Sequence, residues 1–132
     1  MSELEGQDIS ISLKFYPTGV IEDVRYSISI INDSLIVKNH FPRNINDKNE
    51  YITKLSNSQK YEINKLISFI NIQYQNRDIF ISDTWGVTLV INNQVFYEVD
   101  DFSFKSPPNE IRNLINYLVG LSPIKIDLYG FS

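Results

Sequence analysis

Acid–base chemistry in this chain would fall mainly to carboxylates, and four of them gather around one stretch. Asp83 leads into residues 85–91, and Glu98, Asp100 and Asp101 leave the stretch that follows. If the two stretches pair as a hairpin, all four side chains sit near its open end. Paired carboxylates hydrolyse glycosides when their separation suits, and clustered ones hold a hard cation such as calcium. The spacing fits no calcium loop, and the glycine needed for the sharp turn of such a loop is missing. The plainer role, and the one the pattern favours, is a solvated strand end that discourages pairing with another molecule.

Base catalysis by imidazole would have to use the one histidine, His40, in Asn39-His40-Phe41-Pro42. Nothing beside it resembles a nucleophile elbow, and a lone loop histidine is usually just exposed. The five glycines are dispersed, so no phosphate-cradling loop or dinucleotide fingerprint can be built from them. Cysteine is absent, which removes disulfides, thiolate catalysis and cysteine-ligated metals. No catalytic residue and no metal ligands are therefore assigned, and no cofactor is expected.

Binding is the better-supported chemistry. Trp85, the one tryptophan, has acidic neighbours and could serve as a contact platform, since Trp combines a large area with a polar handle. Its parity with Val87, Leu89 and Ile91 argues instead for burial in a core. If Val95, Tyr97 and Val99 face inward, Phe96 faces outward beside Val90, with Glu98 at the rim. Such an apolar patch on a polar face marks an interface, unless the sheet is covered on both faces. The expected binding residues are thus Asp83, Trp85, Val90, Phe96, Glu98, Asp100 and Asp101.

These residues need a scaffold, and the periodicity supplies one. Ile9, Ile11, Leu13 and Phe15 alternate with polar residues, and so do Val24, Tyr26, Ile28 and Ile30; both patterns read as half-buried strands. A two-residue turn at Asn32-Asp33 places Ile30 opposite Leu35 and Ile28 opposite Val37, so turn and pattern agree. Residues 40–49 read as a loop and 51–55 as a short strand. Ser56 with Gln59 three residues on forms a capping box, followed by Ile63, Leu66, Ile67 and Ile70 at helical spacing. Gln75-Asn76-Arg77 ends that region, and 79–81 reads as a strand.

The hairpin of residues 85–99 is predicted to turn through three residues, Asn92 to Gln94, aligning Ile91 with Val95, Leu89 with Tyr97 and Val87 with Val99. A plain two-residue turn would set Val87 against Glu98. Ser106-Pro107-Pro108 should open a second helix, with Ser106 as cap, and Gly120 should end it. A last strand is expected over 124–129. The fold class is α+β: a mostly antiparallel sheet of hairpins with two amphipathic helices on one face, in the order β-β-β-β-α-β-β-β-α-β. Residues 1–7 read as a disordered lead-in, and 8–132 as one domain.

With 42% hydrophobic and 21% charged residues, the body of the chain has an ordinary globular composition. The net charge is −4 and the 12 Lys and Arg are scattered, so nucleic acid is not an expected partner. The polar N-terminus is no signal peptide, and no apolar run reaches the roughly 20 residues of a membrane helix. A cytoplasmic location is expected, and no membrane partner.

The functional expectation is a non-enzymatic protein-binding domain, an acidic inhibitor or immunity-type protein acting on a basic partner. Its order of elements is common among small bacterial binding and inhibitor domains. The alternative is a domain binding a small ligand or carbohydrate, or a hydrolase using the hairpin carboxylates, with Trp85 or several tyrosines beside those acids in a concave pocket. A homodimer with a seam at Phe96 and Val90 is the third reading. If the carboxylates steer a basic partner, replacing Asp83, Asp100 and Asp101 together by Asn slows association and flattens its salt dependence. An unchanged on-rate would sink that role.

Overall fold

The computed structural model describes residues 9–16, 24–40, 49–71, 74–76, 85–102, 105 and 107–126, giving the backbone alone for 74–76 and 100–102. The elements run β1 (Ser10–Tyr16), β2 (Tyr26–Ile31), β3 (Ser34–Asn39), β4 (Glu50–Lys54), α1 (Asn57–Ser68), β5 (Tyr74–Asn76), β6 (Trp85–Ile91), β7 (Gln94–Phe102) and α2 (Asn109–Leu121). They form one sheet in the order β4-β3-β2-β1-β6-β7-β5. Six strands are antiparallel, and short β5 adds to β7 in parallel. This is the expected α+β class.

Alternation decides the faces. Ile11, Leu13 and Phe15 of β1, Ile28 and Ile30 of β2, Val37 of β3, and Val87, Leu89 and Ile91 of β6 are all buried on one side. Helices α1 and α2 close that side with Ile63, Ile111, Leu114, Ile115 and Leu118, in one continuous core. Each helix lays its apolar stripe on the sheet because its apolar residues recur every three or four positions. The other face is carried by Ser10, Ser12, Lys14, Ser29, Lys38, Thr88 and Glu98, all exposed or half-buried.

The first hairpin has the predicted register, with Ile30 opposite Leu35 and Ile28 opposite Val37. Asn32 takes the left-handed conformation, with φ of 58°. The second hairpin corrects the reading. Its turn has two residues, Asn92 and Asn93, with φ of 50° and 66°, the pair of positive values a type I′ turn requires. Ile91 therefore faces Gln94 and Val90 faces Val95.

Leu89 nevertheless faces Tyr97 and Val87 faces Val99, as predicted. The register shift between Leu89 and Val90 makes both statements true: Phe96 is an extra residue, a β-bulge. A three-residue loop and a two-residue turn followed by a bulge both add one residue to the second strand. Hydrophobic pattern alone does not distinguish them.

Helix α1 starts as expected. Ser56 Oγ accepts from the Gln59 N–H at 3.1 Å, and Gln59 Oε1 accepts from the Ser56 N–H at 2.8 Å. Helix α2 begins later than predicted: Pro108 is its N-cap residue, without a side-chain cap bond. Proline disfavours helical geometry in the residue before it, so Pro107 cannot start the helix. At the other end, Gly120 lies within α2 and Ser122 is extended (φ −66°, ψ 131°), as the residue before Pro123 should be. The strand predicted over 124–129 is not formed at 124–126, and its remainder lies outside the described residues, as do 1–7 and 79–81.

The two described glycines without left-handed φ differ in what surrounds them. On the outer face, Gly86 pairs with Tyr16, whose fully buried ring lies against it. A β-carbon at Gly86 would come 2.1 Å from Tyr16 Cε2, whereas one at Gly120 meets nothing within 4 Å. Gly86→Ala should therefore cost about 1–3 kcal/mol through overpacking. Gly120→Ala should stabilise by about 0.4–1 kcal/mol, by restricting the unfolded chain. Urea unfolding of both variants checks the pair; a neutral Gly86→Ala would mean that the Tyr16 ring yields.

Candidate functional site

The expected binding residues do not converge. Trp85 is only 2% exposed and stacks on Tyr26, with ring centroids 6.4 Å apart and planes at 27°. The Arg25 guanidinium covers the other aromatic of this pair, 5.6 Å from the Tyr26 centroid. Trp85 is thus a core residue and presents no platform. Phe96 is half-buried and packs against the core, because the bulge breaks the alternation that would have turned it outward. The apolar pair on the outer face is Val90 with Val95, both half-buried. Asp83 lies outside the described residues, and Asp100 and Asp101 are placed as backbone of β7.

Glu98 does lie on the outer face. Register puts Glu50, Lys38, Ser27, Lys14, Thr88 and Glu98 side by side across six strands. Thr88 Oγ1 donates to Glu98 Oε2 at 3.4 Å, and Tyr16 OH lies 2.9 Å from Thr88 Oγ1. If Thr88 gives its one proton to the carboxylate, Tyr16 donates to Thr88, a short relay ending on charge. Lys38 Nζ meets Glu50 Oε2 at 3.2 Å. Charges of both signs are interleaved along this row. Among the described residues no group of three or more His, Cys, Asp or Glu could hold a metal ion.

His40 ends β3's neighbourhood at the same row. Its N–H donates to the Arg25 carbonyl at 2.8 Å, and its Nε2 lies 3.0 Å from Ser27 Oγ. A serine–histidine contact invites a catalytic reading, but the electrostatics oppose it. Burial, then Lys38, then Lys14 hold the imidazole below its ordinary value. Deprotonating Ser27 would create an imidazolium beside two lysines, whereas a catalytic triad places a carboxylate there to stabilise it. The contact is a structural hydrogen bond that ties residue 40 to β2.

Helix α1 presents what the sequence reading missed. Tyr61 and Phe69 are 67% and 57% exposed. With exposed Lys65 they sit four residues apart, on the side away from the buried Ile63 and Ile70. The clue was available: aromatics at helical spacing but off the apolar stripe. Between α1 and α2 lies an open cleft of about 240 Å³, lined by Leu66, Phe69, Asn109, Glu110 and Asn113. It combines an aromatic, an aliphatic, a carboxylate and two amides. Farther along the same helix pair, burial and then Glu62 raise the Tyr117 phenol above its ordinary value.

Compared with protein-family models, curated proteins and solved structures, the chain matches none. Among the described residues no helix is long and apolar enough to cross a membrane.

The lowered pKa of His40 has a sign that can be checked. The folded state prefers the neutral ring, so the unfolded chain takes up a proton first, near pH 6.5. Stability is complete above that value and declines as the pH falls through it. Between about pH 8 and pH 5.5 the melting temperature of the wild type should drop more than that of His40→Gln. Parallel curves would show that the imidazole is as solvated when folded as when unfolded.

Proposed function

We propose that this chain is a non-enzymatic protein-binding domain, an acidic inhibitor or immunity-type protein that covers a basic partner in the cytoplasm. The supporting observation is the cleft between the helices, where exposed Phe69 and the carboxylate-bearing Glu110 line one concavity. An arginine or lysine side chain is suited to both, since an aromatic face attracts the cation and a carboxylate pairs with it. Asn109 and Asn113 provide the polar rim that interfaces commonly carry. The net charge of −4 adds long-range steering toward a basic surface.

The small-ligand alternative called for a concave pocket holding Trp85 or several tyrosines beside the hairpin carboxylates. Trp85 is in the core, and the helix cleft is lined by different residues. That weighs toward a protein partner.

The test is recovery of a partner by the tagged domain from lysate at low and high salt, followed by kinetics with two variants. Phe69→Ala should weaken binding about tenfold or more, mainly through faster dissociation. Glu110→Gln should slow association and reduce its salt dependence. A partner bound equally by wild type and both variants would remove the cleft from the proposal. Recovery of the domain alone would count against the protein-binding reading itself.

A further inference from the structure

Among the described residues, the sheet ends at a strand whose sequence is complementary to itself. Strand β4 is the first strand of the sheet, Glu50-Tyr51-Ile52-Thr53-Lys54, and four of its five residues are exposed, Ile52 by 64%. The Asn39 N–H donates to the Asn49 carbonyl at 2.9 Å, and the Leu55 N–H to the Asp33 carbonyl at 2.7 Å. Residues 49 and 55 thus direct their backbone groups toward β3. Because antiparallel pairs alternate between bonded and non-bonded, Glu50, Ile52 and Lys54 turn their N–H and C=O groups outward, away from β3.

We infer that β4 pairs with β4 of a second copy of this chain, antiparallel and centred on Ile52, to give a two-fold dimer with one continuous sheet. In that register Ile52 faces Ile52 of the second copy, and Glu50 faces Lys54 at both ends. The outward-turned groups are the ones such a pairing needs, so the bonded pairs fall at 50 with 54 and 52 with 52. Side chains agree with the backbone. Within one chain Lys38 already lies at 3.2 Å from Glu50, and Lys54 at 4.0 Å from Asp33. Pairing extends each of these into a ladder of alternating sign, Lys38, Glu50, Lys54 and Asp33. Half-buried Ile36 stands opposite Ile52 within the chain, so four isoleucines would meet across the seam on the outer face.

Charges on an edge strand usually protect it from pairing. Protection against a second copy calls for like charges, which repel across a two-fold axis. Here they are opposite and equidistant from the central residue, which attracts a copy in one register. The seam lies at β4, away from the Val90 and Phe96 position read from the sequence, and it is a surface separate from the helix cleft.

Sedimentation of the intact chain from low micromolar to near-millimolar concentration reads the outcome. Wild type should pass from monomer to dimer. Glu50→Lys and Lys54→Glu should each raise the dimer dissociation constant about tenfold or more, since each sets like charges face to face at both ends. An equimolar mixture of the two variants restores unlike charges at both ends and should dimerise as the wild type does. The chain has no cysteine, so Ile52→Cys should form a disulfide-linked dimer under mild oxidation, while Ile31→Cys should not. A wild type monomeric throughout the range, or a dimer indifferent to both charge reversals, would overturn the inference. If a charge variant fails to melt cooperatively, the cysteine pair alone decides, and equal cross-linking at Ile31 and Ile52 counts as overturning.

Discussion

Everything in this fold hangs on β1 being paired on both sides. It separates the β2–β3 hairpin from the β6–β7 hairpin, and its Ile11, Leu13 and Phe15 are at most 1% exposed. On one flank Ile11 faces Ile30, and on the other it faces Ile91. Within the sheet, the two hairpins are joined through this strand, and the Tyr26–Trp85 stack and the contact between the two helices reinforce the join. The join is also far from local: Asn92 exchanges hydrogen bonds with Ser10, 82 positions away, through its N–H at 2.7 Å and its Oδ1 at 3.0 Å. Loop-closure entropy must be met before such contacts contribute. The Asn92 side chain serves both the turn and the sheet.

That same closeness shapes the outer face. Tyr16 is a strand-end residue on the side away from the helices, yet it is fully buried. It reaches this state by lying flat on Gly86, which has no side chain to hold it off, and by bonding Thr88. A core tyrosine on the solvent face fixes β1 against β6 laterally, where the inner face is already filled. The middle of the outer face is built of serines, Ser12 and Ser29, with the aliphatic residues Ile36, Ile52, Val90 and Val95 displaced to either side. Apolar surface on this face is therefore concentrated toward the edges.

The parts legible in the sequence were those where period and chemistry reinforce each other. The Asn32-Asp33 turn, the Ser56 capping box, the apolar stripes of both helices and the inward faces of β1, β2, β3 and β6 all follow from spacing, whereas Val95, expected inward, lies on the outer face opposite Val90. Trp85 was also legible, since its parity with Val87, Leu89 and Ile91 outweighed its acidic surroundings. The bulge at Phe96 was not, because one inserted residue produces the same apparent register as a longer loop. Placing Phe96 outward was a consequence of that ambiguity, and with it went the proposed patch. The acidic cluster was assembled from hairpin geometry alone, which brings backbone segments together but says nothing about where carboxylates point. The exposed aromatics of α1 were passed over because the reading of that helix stopped at its buried stripe.

The two edges of the sheet are handled differently, and the difference bears on assembly. At the β7 side the edge is occupied by β5, three residues added in parallel, a pairing that is slightly weaker per residue and too short to template another strand. At the β4 side the strand is antiparallel, five residues long, and carries exposed Ile52 between a carboxylate and an ammonium group. An isolated β4 gains little from its own ion pairs, which are solvent-exposed and worth at most a few tenths to about 1 kcal/mol each. Their arrangement therefore contributes more to register than to monomer stability. Shifting two β4 strands by two residues would place Ile52 against a charge and leave Glu50 or Lys54 without its opposite. The strand thus discriminates between registers even where the total binding energy is modest, which is the usual contribution of charge to an interface.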